Sequence, residues 1–485
     1  MLLGAITQHK EGVFDMSHQF VHGFSSQTQE ITYDRLAVKG SVPQWLSGNL
    51  LRNGPAQFEV GPQQFRHWFD GLAMLHRFSF HQGEVSYANK FLQSPAFSTA
   101  QKTGKISYAE FATDPCRSIF KRVTSAFSPP ELGSNANVNI SKMGESFVAL
   151  TETPLPVTFD PQTLETLGIV HHDDRLAGQH STPHPHYDPE RKAGINSITN
   201  FSAKSSYNIY AVKDGSTSRI LIGAIPVNEP AYIHSFSITE QYVVLVEFPL
   251  VVNPLQMLMS GKPFIENFQW KPERGTRFFV MRKEDGRVIN TYSSEAFFAF
   301  HHINAFEQGD TIIVDIAALP DTSMIDDFYL KKLRAPDATV PCPVFSRYTL
   351  SLNTSSLTSE VITDEGIELP RINYERNNAS DYQFAYGVNI SKQHPGDFWD
   401  QLVKVDVRAK TARTWYEDGC YPGEPVFVAA PGARNEDEGV VLSVVLDGRK
   451  NTWFLLVLDA ASYTELARAE VPQHIPFGFH GLYTR

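Results

Sequence analysis

Short apolar runs broken by polar turns recur along the chain. Seven of them pair into the same unit: a strand, a turn containing Gly, Asp or Asn, and a second strand with alternating apolar and polar positions. The units lie at residues 77–87, 157–167, 210–222, 279–289, 348–362, 403–415 and 456–466, with turn residues such as Gly83, Asp160, Asp214-Gly215, Asp285-Gly286, Asn353, Asp406 and Asp459. Turns of this kind between alternating strands are hairpin signals. The units start roughly every 50–80 residues, a little longer than typical blade repeats. Seven hairpins predict an all-β chain folded as a seven-bladed β-propeller, a ring of four-stranded sheets about one axis. A β-sandwich also yields many short strands, so periodicity by itself leaves both open. The surplus length predicts insertions gathered on one face, at residues 95–130 (with a helix-like stretch from Cys116) and 249–270.

Composition narrows the picture. Hydrophobic residues make up 42% of 485, including 34 Phe and 18 Tyr, enough for a large core. The net charge of −11 is dispersed, and no Lys/Arg run suggests nucleic-acid binding. Cys116, Cys342 and Cys420 are distant and odd in number, which indicates neither a disulfide framework nor a zinc knuckle and fits a reducing cytoplasm. The first 19 residues lack the apolar stretch of a signal peptide, and no run is long enough to span a membrane. Residues 248–260 are strongly apolar, with Lys262, Phe264, Phe268 and Trp270 just after. Such a segment either lies in the plane of a membrane interface or packs as a buried insertion.

The candidate chemistry rests on histidines. His184 (Thr-Pro-His-Pro-His), His234 (Tyr-Ile-His-Ser-Phe), His301 (Ala-Phe-His-His-Ile) and His480 (Gly-Phe-His-Gly) stand in patterned segments ahead of the third, fourth and fifth hairpins and after the seventh. In a propeller these are inner-strand positions. If the C-terminal strand closes the ring, all four can meet at the axis. Four neutral imidazoles without thiolates suit a divalent transition metal with open positions, Fe(II) before structural zinc. Seventeen histidines also make chance groupings common, and a single one such as His234, taken on its own, reads more readily as a hydrogen-bonded core or surface histidine than as a ligand. Spacing does not choose between His184 and His186, and of His301 and His302 at most one points inward. Glu152, Glu368 and Glu424 stand in apolar or turn-rich surroundings, either as carboxylate partners for metal-bound imidazoles or as exposed loop residues. Arg52-Asn-Gly-Pro55 and His67-Trp-Phe-Asp70-Gly71 read as tight structural turns around a charged pair. No nucleophile elbow, Walker loop or dinucleotide-binding glycine loop is present.

At these motifs the chain resembles the carotenoid cleavage oxygenase family, from about Gly40 to His480. It is closest to the animal branch that holds retinal-forming β-carotene oxygenases and the retinal-pigment-epithelium retinoid isomerase. Further matching segments are Asp114-Pro-Cys-Arg-Ser-Ile-Phe120, Pro183-His-Pro-His-Tyr187, Phe300-His-His-Ile-Asn-Ala-Phe-Glu307, Glu368-Leu-Pro-Arg-Ile-Asn-Tyr374 and Tyr421-Pro-Gly-Glu-Pro-Val-Phe-Val428. The resemblance implies one oxygenase domain over residues 1–485, with 1–35 as an N-terminal extension and the two insertions forming a dome over the axis. It implies one Fe(II) on His184, His234, His301 and His480, with His186 and His302 left out. Glu152 would support His234, Glu368 His301 and Glu424 His480. O2 is the implied co-substrate, splitting one double bond of a carotenoid or apocarotenoid into two aldehydes, centrally and with retinal formation. The substrate is implied to arrive through an apolar tunnel from a membrane-facing patch, for which Leu250, Val251, Leu255, Met257, Leu258, Phe264, Phe268 and Trp270 are the candidates. Location would then be cytoplasmic and peripheral to a membrane.

Two positions depart from relatives that cleave stilbenes. Those relatives bind the substrate phenol with a Tyr and a Lys, where this chain has Phe97 and Thr151, so an apolar polyene is favoured. Thr151 also matches the isomerase, which keeps retinoid isomerisation as an alternative. Cys116 falls at a site tied to membrane attachment in the animal branch, and lipidation is not inferred from it. A non-enzymatic propeller that binds a lipophilic pigment is the alternative from another class, and the complete ligand set argues against it.

Overall fold

Apolar stretches such as Gly439–Asp447 and Thr311–Ala318 are buried almost without a break, whereas Arg219–Val227 is largely half-exposed or exposed. The first two are middle strands of sheets covered on both faces, and the third is a rim strand. The computed structural model describes residues 19–114, 134–393 and 398–485. Within them, seven antiparallel sheets of four or more strands form the blades of a propeller. Each of the seven hairpins read from the sequence is the outer half of one blade, from Leu72–His81 with Glu84–Phe91 in blade 1 to Thr452–Asp459 with Glu465–Val471 in blade 7.

The axial strands are shorter. His180–Ser181 and His186–Asp188 share the inner edge of blade 3; Ser237–Ile238 and His302–Gln308 are innermost in blades 4 and 5. Glu368–Ile372 holds that place in blade 6, and Cys420–Pro422 and Val426–Ala429 share it in blade 7. The ring closes twice. The C-terminal strand Gly481–Thr484 pairs with Gly48–Gln57 as the innermost strand of blade 1, and Ala37–Gly40 joins the rim of blade 7. Apolar faces of neighbouring blades pack together, as Tyr207 and Ile209 of blade 3 do with Leu245 and Met281 of blade 4. Phe20 and Phe24 of the 3-10 turn Gln19–Phe24 are fully buried against Phe398, Trp68 and Phe477, so the core begins well before residue 35.

Two readings from the sequence need correction. Arg52-Asn-Gly-Pro55 is not a turn; it runs inside the strand Gly48–Gln57. A Cβ on Gly54 would lie 2.4 Å from the Gly478 Cα, so glycine here permits two backbones to touch. Pro55 adjoins a bulge, where the ladder can spare a donor. His67–Gly71, by contrast, is a tight turn: His67 accepts from the Phe69 N–H, and Asp70 accepts from the His67 N–H.

The second correction concerns residues 249–270. The strands Leu250–Val251 and Gln269–Trp270 form a clip, and Asn253 caps the helix Pro254–Ser260 between them. Leu250, Val251 and Phe268 are buried core residues and cannot face a membrane. Met257, Phe264 and Trp270 are partly buried against the core. The free surface is Leu255 (60% exposed), Leu258 (71%) and Met259 (78%), the last not anticipated. The clip anchors the base of the insertion, and only the helix projects. Among the described residues no helix is long and apolar enough to cross a membrane. In the other insertion Pro95–Thr103 is helical, capped by Ser94 and by Gly104 in the left-handed conformation; Cys116 and the helix-like stretch after it lie outside the described residues.

Candidate metal centre

The structure brings His184, His234, His301 and His480 together, with one ring nitrogen of each within 4.8 Å of the others. None is inside a strand. Three stand one to three residues before an inner strand, and His184 lies in the gap between His180–Ser181 and His186–Asp188. Placement on the strands themselves is thus corrected, and the reason is geometric. A side chain within a strand stands perpendicular to its sheet, which in a radial blade aims it at the next blade. Where the backbone leaves the ladder, it can aim at the axis.

The structure also separates the neighbouring pairs. His186 uses both nitrogens elsewhere, on the Tyr374 hydroxyl (2.9 Å) and the Phe236 carbonyl (2.9 Å). His302 turns its Nδ1 to the Ser235 hydroxyl at 2.8 Å.

Carboxylates from the other blades fix three of the rings. Glu152, just after blade 2's Ser146–Leu150, accepts from His234 Nδ1 at 2.7 Å. Glu368 of blade 6 accepts from His301 Nδ1, and Glu424 of blade 7 accepts from His480 Nδ1 at 2.8 Å. Among the described residues His184 has no carboxylate partner. Each blade therefore supplies one residue: His480, Glu152, His184, His234, His301, Glu368 and Glu424 in order around the ring.

This pattern decides what the centre can hold. A neutral imidazole that donates through Nδ1 carries a lone pair on Nε2. His301 and His480 both turn Nδ1 to a carboxylate, yet their Nε2 atoms face each other at 3.0 Å, and His184 Nε2 lies 3.1 Å from His234 Nε2. Burial holds His480 at about 3, against the pull of Glu424, so its ring keeps the Nε2 lone pair at neutral pH. Burial likewise drives His184 well below the ordinary imidazole range and lowers His234. Converging lone pairs in a buried cluster fit a cation between them. Two nitrogens about 2.1 Å from one ion lie ~3.0 Å apart at a right angle and ~3.4 Å apart at the tetrahedral angle. The two observed separations are of the size that nitrogens sharing one ion would show.

Groups that sequence reasoning missed complete the surroundings. Burial pushes the Glu424 carboxyl up, but Arg371, Arg52 and His480 outweigh it and hold it at about 2. Arg52 pairs with Glu424 and donates to the Phe479 carbonyl, so the motif read as structural reaches the site. Tyr232, two residues before His234, donates to Glu152. Leu369 holds a left-handed backbone (φ 45°) beside Glu368, a strained conformation for a leucine.

Above the rings is an aromatic roof. Phe300 and Phe69 stand 5.3 and 6.3 Å from His234, and Phe69 packs on Phe479, Phe111 and Phe328. Thr151 is partly buried beside Glu152. Phe97 is buried in a satellite cluster, stacked on Phe91, and the structure does not bring it to the four histidines.

The family model described as retinal pigment epithelial membrane protein matches residues 24–485. The chain is 36% identical over 507 residues to a mitochondrial carotenoid-cleaving dioxygenase of Mustela putorius furo, covering 92% of this chain and 93% of the relative. It is 34% identical over 511 residues to the beta,beta-carotene 15,15'-dioxygenase of Homo sapiens, with 93% and 92% covered. A cobalt-substituted apocarotenoid oxygenase of Synechocystis has a similar structure, with a TM-score of 0.85 at 25% identity, over 96% of this chain and 98% of that one.

Proposed function

The chain belongs to the retinal pigment epithelial membrane protein family of carotenoid oxygenases, and from that premise we propose that it is an Fe(II)-dependent dioxygenase cleaving one double bond of a carotenoid or apocarotenoid, centrally, into two aldehydes. The observation that carries this reading is the convergence of imidazole lone pairs, three of them fixed by carboxylates, beneath an apolar roof. His184, His234, His301 and His480 would hold the iron. Fe(II) with neutral ligands and open positions supplies the redox chemistry that lets O2 react with a closed-shell polyene.

The chain's own part is to hold, exclude and place. Glu152, Glu368 and Glu424 orient three rings and offset the charge of the ion. Phe69, Phe300 and Phe479 keep water away and offer an apolar face to a conjugated chain. Thr151, beside Glu152, offers no cation to a phenolate, which favours a polyene over a stilbene. Both carbons of the broken bond receive one atom of O2, so the reaction balances without a further reductant. The exposed helix side at Leu255, Leu258 and Met259 would dip into a bilayer, where such substrates dissolve.

The test is anaerobic loading with Fe(II), then β-carotene and β-apo-8′-carotenal in detergent under air, with products identified by mass. Two aldehydes whose carbons sum to the substrate are expected. Loss of bound iron and of turnover is expected in His234→Ala. An intact carbon skeleton with altered geometry would replace cleavage by isomerisation.

A further inference from the structure

We infer that His180 is a positioning residue for the metal centre, acting through Glu152; the inference rests on the metal reading above. His180 is 4% exposed and belongs to none of the four converging rings. Its Nε2 lies 3.4 Å from Glu152 Oε2 and has no hydrogen-bond partner among the described residues. A buried ring nitrogen left unpaired is costly, and the carboxylate oxygen it faces is the one that His234 does not use. Glu152 Oε1 takes the His234 Nδ1–H and the Tyr232 hydroxyl. With Oε1 alone held, the carboxylate could rotate about its terminal bond and swing off the His234 ring. A donor on Oε2 blocks that rotation, and His180 closes on it by a small ring movement.

The surroundings hold His180 in place. Phe264 lies nearly flat on its ring, with centroids 5.3 Å apart and planes 17° apart, and Tyr232 meets its edge at 5.5 Å. Beside it, the Ser181 N–H donates to the Glu152 carbonyl at 2.8 Å, so backbone and side chain of Glu152 are both addressed by the strand His180–Ser181. Three residues further on stands His184, the ring without a carboxylate. One short segment thus serves two of the four imidazoles, His184 through the chain and His234 through Glu152.

The test uses the full chain loaded with Co(II), whose visible absorption reports ligand geometry. His180→Phe keeps a ring beneath Phe264 and removes the nitrogen; His180→Gln keeps a donor. Loss of a partner that orients a metal ligand lowers metal affinity about tenfold or more. H180F is therefore expected to lose Co(II) to a chelator about tenfold more readily, with a shifted absorption band, while the melting temperature of the metal-free chain is unchanged. H180Q is expected to recover most of both, and H180F is expected to add nothing in a Glu152→Gln background. If H180F does not accumulate, His180→Leu reads the same quantities. Parent-like affinity and absorption in these variants would overturn the inference alone, as would full additivity with E152Q. Failure of the parent chain to bind Co(II) at the four histidines would overturn the metal reading itself.

Discussion

Glu424 takes four contacts in a fully buried position: His480 Nδ1 at 2.8 Å, the Gly481 N–H at 2.9 Å, Arg52, and Arg371 at 3.6 Å. Glu424→Gln keeps the shape, removes the charge, and turns an amide donor toward groups that are all donors. Arg52, nearly buried itself, is left without its counter-charge. Breaking a buried pair this way costs about 3–5 kcal/mol, and disturbing a ligand's carboxylate lowers metal affinity roughly 10–100-fold. Urea unfolding and chelator competition would read the two losses, and a variant with parental metal affinity would remove Glu424 from the site. The glutamate itself is legible in the sequence as a carboxylate among Pro, Gly and apolar residues. Arg52 is not legible in the same way, because Asn-Gly-Pro is also a turn signal, and the close approach of Gly54 to Gly478 that explains it spans more than 400 residues. Likewise nothing in the spacing of His184 and His186 reveals that Phe236 and Tyr374 have already taken one of them.

At the scale of elements, the outer hairpins are legible because they are long enough to alternate and carry their turns between them. The inner strands are not. His180–Ser181 and Ser237–Ile238 have two residues each, too few for any period, and they exist because neighbouring strands supply their partners. The insertion Pro254–Ser260 shows the same limit. Its apolar sequence is plain, but which residues serve the clip and which stay free depends on the pairing of Leu250–Val251 with Gln269–Trp270. Replacing Leu255, Leu258 and Met259 together by Ser tests the helix as a membrane contact. Each exposed apolar side chain gains about 1.5–3 kcal/mol when taken from water, so the triple variant is expected to lose co-flotation with phosphatidylcholine vesicles by at least tenfold. Because these side chains touch little of the core, its melting temperature should stay within a few degrees. Flotation equal to that of the parent would place the membrane contact elsewhere.

The whole molecule is a ring in which each blade delivers one polar group to a buried axis, and the histidines buried in and around it make it sensitive to acid. Burial holds His67, His76, His302 and His480 at about 3, and His186 at about 4. Unfolded, each titrates near 6.5. Between these values the unfolded chain binds protons that the native chain refuses, so stability falls as pH falls. Burial raises Glu152 and Glu424, but their partners outweigh it and hold both at about 2. Their contribution is complete above about 4.5 and is lost between there and 2, in the same direction. Asp70 opposes the trend: burial raises it to about 6, so acidification from 6 toward 3.8 relieves a cost. Burial raises Glu110, Asp315 and Glu436 as well, but four raised carboxyls set against nine lowered imidazoles reduce the slope without reversing it. For metal-free protein the urea midpoint is expected to be level above about pH 7 and to drop steadily below about 6.5. Bound metal should lower the onset, since the ion competes with protons for the same lone pairs. A midpoint unchanged down to pH 5 would mean that these histidines are solvated in the native state.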